Sequence, residues 1–471
     1  MSGTMDARAA RRDTIFLGHP GGLGWLAFTE FWERFSYYGM VALLVLYMTH
    51  NLLLPGHIEH VVGFGPFRAF VEWIYGPRPT AQALGSAIYG LYTGLVYLTP
   101  LGGGYLADRF LGRTASVTTG AILMAIGHFL MAFDASFLLA MACLLFGVGF
   151  FKGNIASQVG DLYGKGDQRR ADAFQVFLMS VQIAVIISPL VCGTLGEVKG
   201  WHWGFGAAGV GMLIGLATYL TGRSWLPPEP PRVKRGAPGA RPPLARTDWI
   251  RIGVLIALLP VLAVSLVGNQ EIGNAYLIWA EANYQLVFFG KTLPITWMLS
   301  LDSFISALTI AASVMFWRWW ATRWTEPDEI TKITIGVTIS ALAPLTLAAA
   351  SAIVAVSHQK VGLGWAFGFH IINDIGFSNV LPIGLALYSR AAPKGLTGVM
   401  IGLYYLHLFM GNLFVGWVGG LLGTMPAVSF WMLHVGLMLG SAAILLVVRF
   451  LVGRILAPAY EHPPLAVEAT A

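Results

Sequence analysis

Apolar stretches of about 20 residues, the length a helix needs to cross the hydrocarbon core of a bilayer, recur from Trp25 to Arg454 with short polar turns between them. The pattern predicts helices near 24–53, 82–107, 114–133, 136–160, 170–197, 203–223, 249–285, 293–320, 330–357, 361–389, 395–423 and 428–453. Twelve such helices define the expected fold class, an all-α membrane protein. Between Trp225 and Asp248 the pattern stops, and PPEPPRVKRGAPGARPPLAR, which cannot pack a core, reads as an extended, solvated linker. It divides the helices six and six. The expected organisation is a tail over 1–23, a six-helix bundle over 24–225, the linker over 226–248, a second six-helix bundle over 249–455 and a tail over 456–471. The stretch 51–82 is a long loop, and Gly56 to Gly76 within it carries enough aromatic residues to lie on a membrane interface.

Composition agrees with this class: 56% hydrophobic, 11% charged and a mean hydropathy of +0.67 form a balance that no water-soluble domain of this size needs. A pI of 9.3 and a net charge of +6 would also fit a nucleic-acid partner, but the placement of the bases excludes that reading. With the N-terminus inside, most Lys and Arg fall in cytoplasmic segments, among them Arg8, Arg11, Arg12, Arg109, Arg113, Lys165, Arg169, Arg170 and the run from Arg223 to Arg251. Arg68, Arg78, Lys199, Lys291 and Lys360 fall outside. This bias predicts an inner-membrane protein with both termini in the cytoplasm. Cys143 and Cys192 sit in apolar helices and read as small core residues. No short apolar region ends in a small-residue cleavage site near the start, so the first helix is expected to be retained. GGGYLADRFLGR (Gly102 to Arg113) ends the second helix in a tight, charged turn. It resembles the loop signature of major facilitators, in which glycines permit close helix contact and Asp108 pairs with a base or a helix end. Two six-helix bundles joined by a basic linker resemble the same architecture. That resemblance implies a major facilitator fold with its solute site near the midplane, between the bundles.

An ionisable group at the centre of a membrane helix costs about 2.5–3.5 kcal/mol on insertion scales and therefore needs a partner, a cavity or a function. Glu30, Glu33 and Arg34 in the first helix, Lys152 in the fourth, Glu271 in the seventh, Asp302 in the eighth and Asp374 in the tenth are such groups. Five acids exceed two bases, so carboxylates remain after pairing, and burial disfavours their charged form. Surplus carboxylates of this kind are natural proton carriers. Glu30, Glu33, Arg34, Tyr37 and Tyr38 are spaced i, i+3, i+4, i+7, i+8 and share one helix face. A purely structural Glu–Arg ladder that locks helices together is the competing reading. Lys152, in GVGFFKGN, lies too deep to reach the cytoplasmic end easily, with long-range snorkelling as its alternative.

EFWERFSYYG (Glu30 to Gly39) matches ExxERFxYYG, and on that motif the chain resembles the proton-dependent oligopeptide transporter family. The resemblance continues through FFKGNIASQVGDLY (Phe150 to Tyr163), SPLVCGTLGE, GWHWGFGAAGVGM, QEIGN (Gln270 to Asn274) and LYSRAAPKGLTGVMIGLYYL (Leu387 to Leu406), over nearly the whole chain. It implies a symporter that imports di- and tripeptides or peptide-like molecules by alternating access, driven by protons and without a cofactor. Arg34 and Lys152 would receive the substrate carboxylate. Tyr37, Tyr38 and Tyr97 would line the pocket, with Gln182, Asp302, Phe377 and Tyr404 as further lining residues. Glu30, Glu33, Lys152, Glu271 and Asp374 would couple protons, Glu271 by pairing with Arg34 across the halves so that its protonation releases Arg34.

The chain departs from the family at the amino-terminal clamp. Phe377 stands where the family carries its tenth-helix glutamate, Leu381 where it carries a serine, Asp302 in place of the eighth-helix asparagine and Gln182 in place of the fifth-helix asparagine. Asp302 is the expected replacement partner for a cationic substrate group and Asp374 the weaker one, which leaves transport of another zwitterionic or cationic solute, or export, as the alternative. His370 and Asp374 are spaced i, i+4 for an ion pair, a hydrogen bond or a relay. Adding Ser378 gives a hydrolase-like face, but no oxyanion hole or nucleophile geometry is legible, so an enzyme is not expected. His407 reads as a hydrogen-bonded packing residue. Trp317, Trp319, Trp320 and Trp324 fit an interfacial belt. No Cys/His spacing fits a metal, and no P-loop supports ATP coupling. The expected partners are the peptide-like substrate, protons and the lipid bilayer, with no nucleic acid and no obligate protein.

Overall fold

The computed structural model describes residues 13–164, 166–229, 244–393 and 396–456. Both predicted tails lie largely outside that range, as do Lys165, most of the Pro- and Arg-rich linker and the side chain of Asp108.

The chain is built almost entirely of helices: α1 (Gly21–Tyr47), α2 (Phe64–Tyr75), α3 (Ala81–Leu106), α4 (Arg113–Leu130), α5 (Phe137–Asp161), α6 (Arg169–Ser188), α7 (Thr194–Lys199), α8 (Trp201–Gly222), α9 (Arg246–Ser265), α10 (Val267–Gln270), α11 (Ala275–Asn283), α12 (Trp297–Ala321), α13 (Glu329–Ser340), α14 (Leu342–Ser357), α15 (Gly364–Phe377), α16 (Leu381–Arg390), α17 (Thr397–Gly419) and α18 (Ala427–Leu456). Nine helices or helix runs among the described residues are long and apolar enough to cross a membrane, from the run that opens at Asp134 to the one that ends at Gly453. The helices opening at Gly21, Ala81 and Arg113 are not among the nine. The first of these carries Glu30, Glu33 and Arg34, and the other two are rich in Gly, Thr and Tyr or Gly, Thr and Ser.

Several boundaries follow from local chemistry. Thr80 caps α3 by accepting from the Ala83 amide at 3.1 Å, and Asp328 caps α13 by accepting from the Thr331 amide at 2.8 Å. Gly112 takes φ +83° at the tight turn into α4, a conformation that costs glycine least. The single helix expected over 249–285 is instead three pieces, the 20-residue α9 and the short α10 and α11, with a 3₁₀ turn at Glu271–Gly273. The break is held by the side chain at its centre, since Glu271 Oε2 accepts from the Ala275 amide at 3.2 Å and from Asn274 Nδ2 at 3.1 Å. A two-stranded hairpin follows, β1 (Val287–Phe288) with β2 (Lys291–Thr292), turning through Phe289 and Gly290 at positive φ. The expected interfacial stretch forms α2. Phe64, Val71 and Tyr75 are its buried side, and Phe70 and Trp73 are exposed.

Helices α1, α3, α4, α5, α6 and α8 pack on one another as a first group, and α9 with α12 to α18 as a second. Glycines set the closest crossings: Gly103 of α3 lies on the main chain of Gly149 in α5, as the Gly-rich turn predicted, while Gly102 and Gly104 face open space. The groups meet where α3 packs along α17 and where α6 packs against α12.

Candidate functional site

The predicted face of α1 is present and turned inward. Glu33 is fully buried and Glu30, Arg34 and Tyr37 are nearly so. Arg34 Nη2 donates to Glu33 Oε1 at 2.7 Å, Nε pairs with Glu33 Oε2, and Nε also lies 3.2 Å from Glu30 Oε1. The second oxygen of Glu30 is buried without a hydrogen-bond partner. The guanidinium sits 5.5 Å over the Tyr37 ring, which meets Tyr38 edge-on. Lys152 of α5 interacts with Arg34, Glu33 and Glu30, and its ammonium lies 5.2 Å over the ring of Tyr97 in α3. The geometry therefore brings two cations, two carboxylates and three of the predicted tyrosines into one cluster. It also holds Tyr89 and Tyr92, which sequence reasoning missed: Tyr37 interacts with Tyr89, Tyr92 and Tyr97, and Tyr92 with Glu33 and Arg34. Their spacing from Tyr97 along α3 was the available signal.

Two predicted pairings and one predicted lining role are corrected. Glu271 does not meet Arg34, whose guanidinium is occupied by its own helix. Glu271 is instead buried against Asn274, the Ala275 amide and His434, with Tyr89 of the first group as its neighbour across the interface. His370 does not pair with Asp374. Its Nδ1 donates to Asp302 Oδ1 at 2.9 Å, and its Nε2 is 3.0 Å from the Tyr276 hydroxyl. Asp374 accepts from Asn373 Nδ2 at 3.1 Å, and its other oxygen is buried without a partner. Tyr404 is buried in the second group with its hydroxyl donating to the Leu381 main-chain oxygen at 2.8 Å, so it does not offer that hydroxyl to a solute. Its neighbour Tyr405 is 40% exposed and interacts with Tyr97 across the groups. Gln182 and Phe377 are half-buried. Ser378 donates to the Ile375 oxygen, and His407 Nδ1 to the Tyr404 oxygen. No group of metal-ligating side chains occurs among the described residues.

The two groups are tied together at the end that carries α2 and the hairpin. Gln82 Nε2 donates to Gly419 O at 2.7 Å, and Arg78 Nη1 lies 3.5 Å from Trp417 O. Glu197 accepts from the amides of Ile295 and Thr296 at 2.9 and 3.0 Å and from Thr296 Oγ1 at 2.6 Å. Trp297 Nε1 donates to Thr194 Oγ1 at 2.8 Å, and His50 Nε2 lies 3.4 Å from Glu281. Gly90 and Gly416 pack backbone to backbone, so a Cβ on either would meet the other helix.

A mostly helical membrane chain of two helix groups, closed over a charged and aromatic interior at one end, defines a solute carrier of the major facilitator type. The chain belongs to the POT family. The profile of that family (PTR2: POT family) matches residues 114–238. A di-/tripeptide transporter of Lactococcus lactis subsp. cremoris is 31% identical over 87% of this chain and 79% of its own length. Peptide transporter YePEPT of Yersinia enterocolitica subsp. palearctica is 28% identical over 86% and 88%. The crystal structure of a mutant of peptide transporter POT in complex with alafosfalin is similar at a TM-score of 0.79 and 25% identity, covering 95% of this chain and 98% of that one. The family consists of transporters rather than enzymes.

Proposed function

We propose that this protein is a proton-coupled symporter that imports di- and tripeptides, or small molecules of similar charge, across the inner membrane by alternating access. One observation carries the reading: Arg34, the cation suited to a substrate carboxylate, is neutralised by Glu33 and Glu30 inside the carrier. Protonating either acid weakens its hold on Arg34, so proton loading and carboxylate binding favour each other. Lys152 supplies the second positive charge, and Tyr37, Tyr38 and Tyr97 offer hydroxyls and ring faces to the backbone of a short peptide. The relatives named as peptide transporters support this class of solute.

In this reading the three less apolar helices cross the bilayer with the other nine, giving twelve spans in two halves with both termini in the cytoplasm. The positive-inside bias then assigns the closed end to the outside, and the site opens inward. Glu271 and Asp374 are further proton-carrying groups. The replacement of the clamp glutamate by Phe377 favours a second reading, a carrier for a different zwitterionic or cationic solute whose positive group is met by Asp302.

The test is uptake of labelled di- and tripeptides into liposomes that hold the purified protein under an inward proton gradient. Uptake that collapses with an uncoupler and in Arg34→Ala is the expected result. A folded protein that takes up no peptide under the gradient overturns the reading and moves the search to cationic and zwitterionic solutes.

A further inference from the structure

His434 of α18 is fully buried and aims Nε2 at Glu271 Oε1, 3.7 Å away and equally buried. Its other nitrogen, Nδ1, lies 2.8 Å from the main-chain oxygen of Phe430. A carbonyl oxygen only accepts, so Nδ1 carries the hydrogen and donates it. In the neutral ring, Nε2 is then a bare lone pair, and it faces a carboxylate oxygen that, when ionised, is also only an acceptor. Neither atom has a hydrogen-bond partner elsewhere. Two acceptors facing each other in a dry interior repel and leave two polar atoms unsatisfied. A single proton between them removes both penalties, either as a Glu271 hydroxyl directed at Nε2 or as a His434 imidazolium facing a carboxylate.

The surroundings leave that oxygen for this purpose. Oε2 of Glu271 is taken by Asn274 and by the Ala275 amide at the start of α11. The α3 helix presents Tyr89 to the carboxylate, and α18 presents Trp431, whose indole nitrogen is unpartnered and whose ring lies 5.2 Å from that of His434. On the α17 side lies Gly419, where an added Cβ would sit 3.1 Å from either carboxylate oxygen. Gly419 is also the residue whose main-chain oxygen Gln82 grips across the halves.

We infer that Glu271 and His434 form one shared proton-holding site, closed off from the α2 end of the molecule by the Gln82–Gly419 contact. The transfer moves one proton between Oε1 and Nε2 and changes no other bond, and loading from the α2 side requires that contact to open. His434 is thereby a positioning and proton-sharing residue. The existence of the pair is independent of the solute, and its use in transport rests on the symport reading above.

The experiment uses full-length protein in lipid with ¹⁵N-labelled histidine, the resonances of His434 being assigned by their loss in His434→Gln or, should that variant not fold, in His434→Asn. The ¹⁵N shifts are expected to report a hydrogen on Nδ1 and an Nε2 that responds to pH, with the response abolished in Glu271→Gln, where an amide hydrogen satisfies Nε2 permanently. A His434 signal whose pH response is the same in Glu271→Gln as in the unaltered protein overturns the inference. In liposomes, His434→Gln is expected to lower gradient-driven uptake about tenfold and to shift its pH profile, while peptide exchange without a gradient stays within about twofold. Driven uptake with an unchanged pH profile overturns the coupling role. If the unaltered protein carries no peptide, the transport reading falls while the spectra still decide the pair.

Discussion

Gln82, on the first group of helices, donates its side-chain amide to the main-chain oxygen of Gly419 on the second, 2.7 Å away. Gly419 is the last residue of α17, and the final carbonyls of a helix have no partner within it. The contact thus adds a cap from the other half to an oxygen that the Leu422 amide also reaches at 3.2 Å, and Arg78 beside Trp417 O adds a cation at the negative end of the same helix. The start of α12 is treated the same way with opposite charge: Glu197 accepts from two amides there and from a hydroxyl. Closing this end gives the Gly419 oxygen a second donor beside the Leu422 amide and satisfies the amides at the start of α12, and opening it requires water to take over.

Gln82→Ala removes one neutral hydrogen bond from the closed state, worth about 1 kcal/mol. The closed-to-open ratio at this end is expected to fall roughly fivefold. Spin labels on the exposed residues Pro79 and Thr424, in protein lacking Cys143 and Cys192, read the shift as growth of a longer-distance population. An unchanged distance distribution would show that water replaces the cap without penalty.

Glu197→Ala is expected to do more, because hydrogen bonds to a charged group are worth about 1.5–3 kcal/mol each and Glu197 accepts three. Glu197→Gln keeps one accepting oxygen and should fall between Glu197→Ala and the unaltered protein in the same distance measurement. The ordering Ala, then Gln, then unaltered is the check. Equal effects of the two variants would mean that the residual acceptor contributes nothing and that the whole effect lies in the carboxylate's charge and second oxygen.

Gly90→Val shifts the balance in the same direction by a steric route, since a Cβ there runs into the main chain of Asn412 and Gly416. The halves cannot close without moving backbone, so the long-distance population should dominate and uptake should fall to background. Thermal unfolding of the purified variant separates this from loss of fold. A stable Gly90→Val that still closes and transports would remove the crossing from the gate.

The buried charges of α1 and their shared face were legible in the sequence because helical spacing and the expense of burying charge are both local. Lys152 and Tyr97 joined that cluster through the family resemblance. The partners of Glu271 and of His370 were not legible. His434 and Asp302 reach them from other helices, and no spacing rule links α18 to the turn before α11 or α12 to α15. The break at Glu271 was missed because the polar run GNQEIGN (Gly268 to Asn274) sits inside an otherwise apolar stretch long enough for one helix, and what fixes the interruption is a side chain capping the next turn. The cross-bundle caps escaped for the same reason: Gln82 and Glu197 look like ordinary polar residues near helix ends until the other half is in place. Tyr404 and Tyr405 were separable only by structure, because helix rotation decides which of two adjacent tyrosines faces inward.

Asp302 separates the two substrate readings. Its Oδ1 accepts from His370, whose far nitrogen meets the Tyr276 hydroxyl, so the carboxylate is oriented by a chain that runs through α15 and α11. A carboxylate held in this way, one-fifth exposed, keeps a second oxygen for a cationic group. Asp302→Asn preserves an oxygen for His370 and removes the charge, so folding should be retained while the preference for a free amino terminus is lost. Competition against labelled dipeptide uptake by an unmodified and an N-acetylated dipeptide measures it. The unaltered protein is expected to favour the free amine, and the ratio should drop by about tenfold or more in Asp302→Asn, the scale of one charge-assisted hydrogen bond. His370→Asn, which removes the orienting ring and leaves the charge, should lower that ratio by less. If Asp302→Asn leaves the ratio untouched, Asp302 serves only to hold His370, and the amino-terminal clamp of this carrier lies elsewhere.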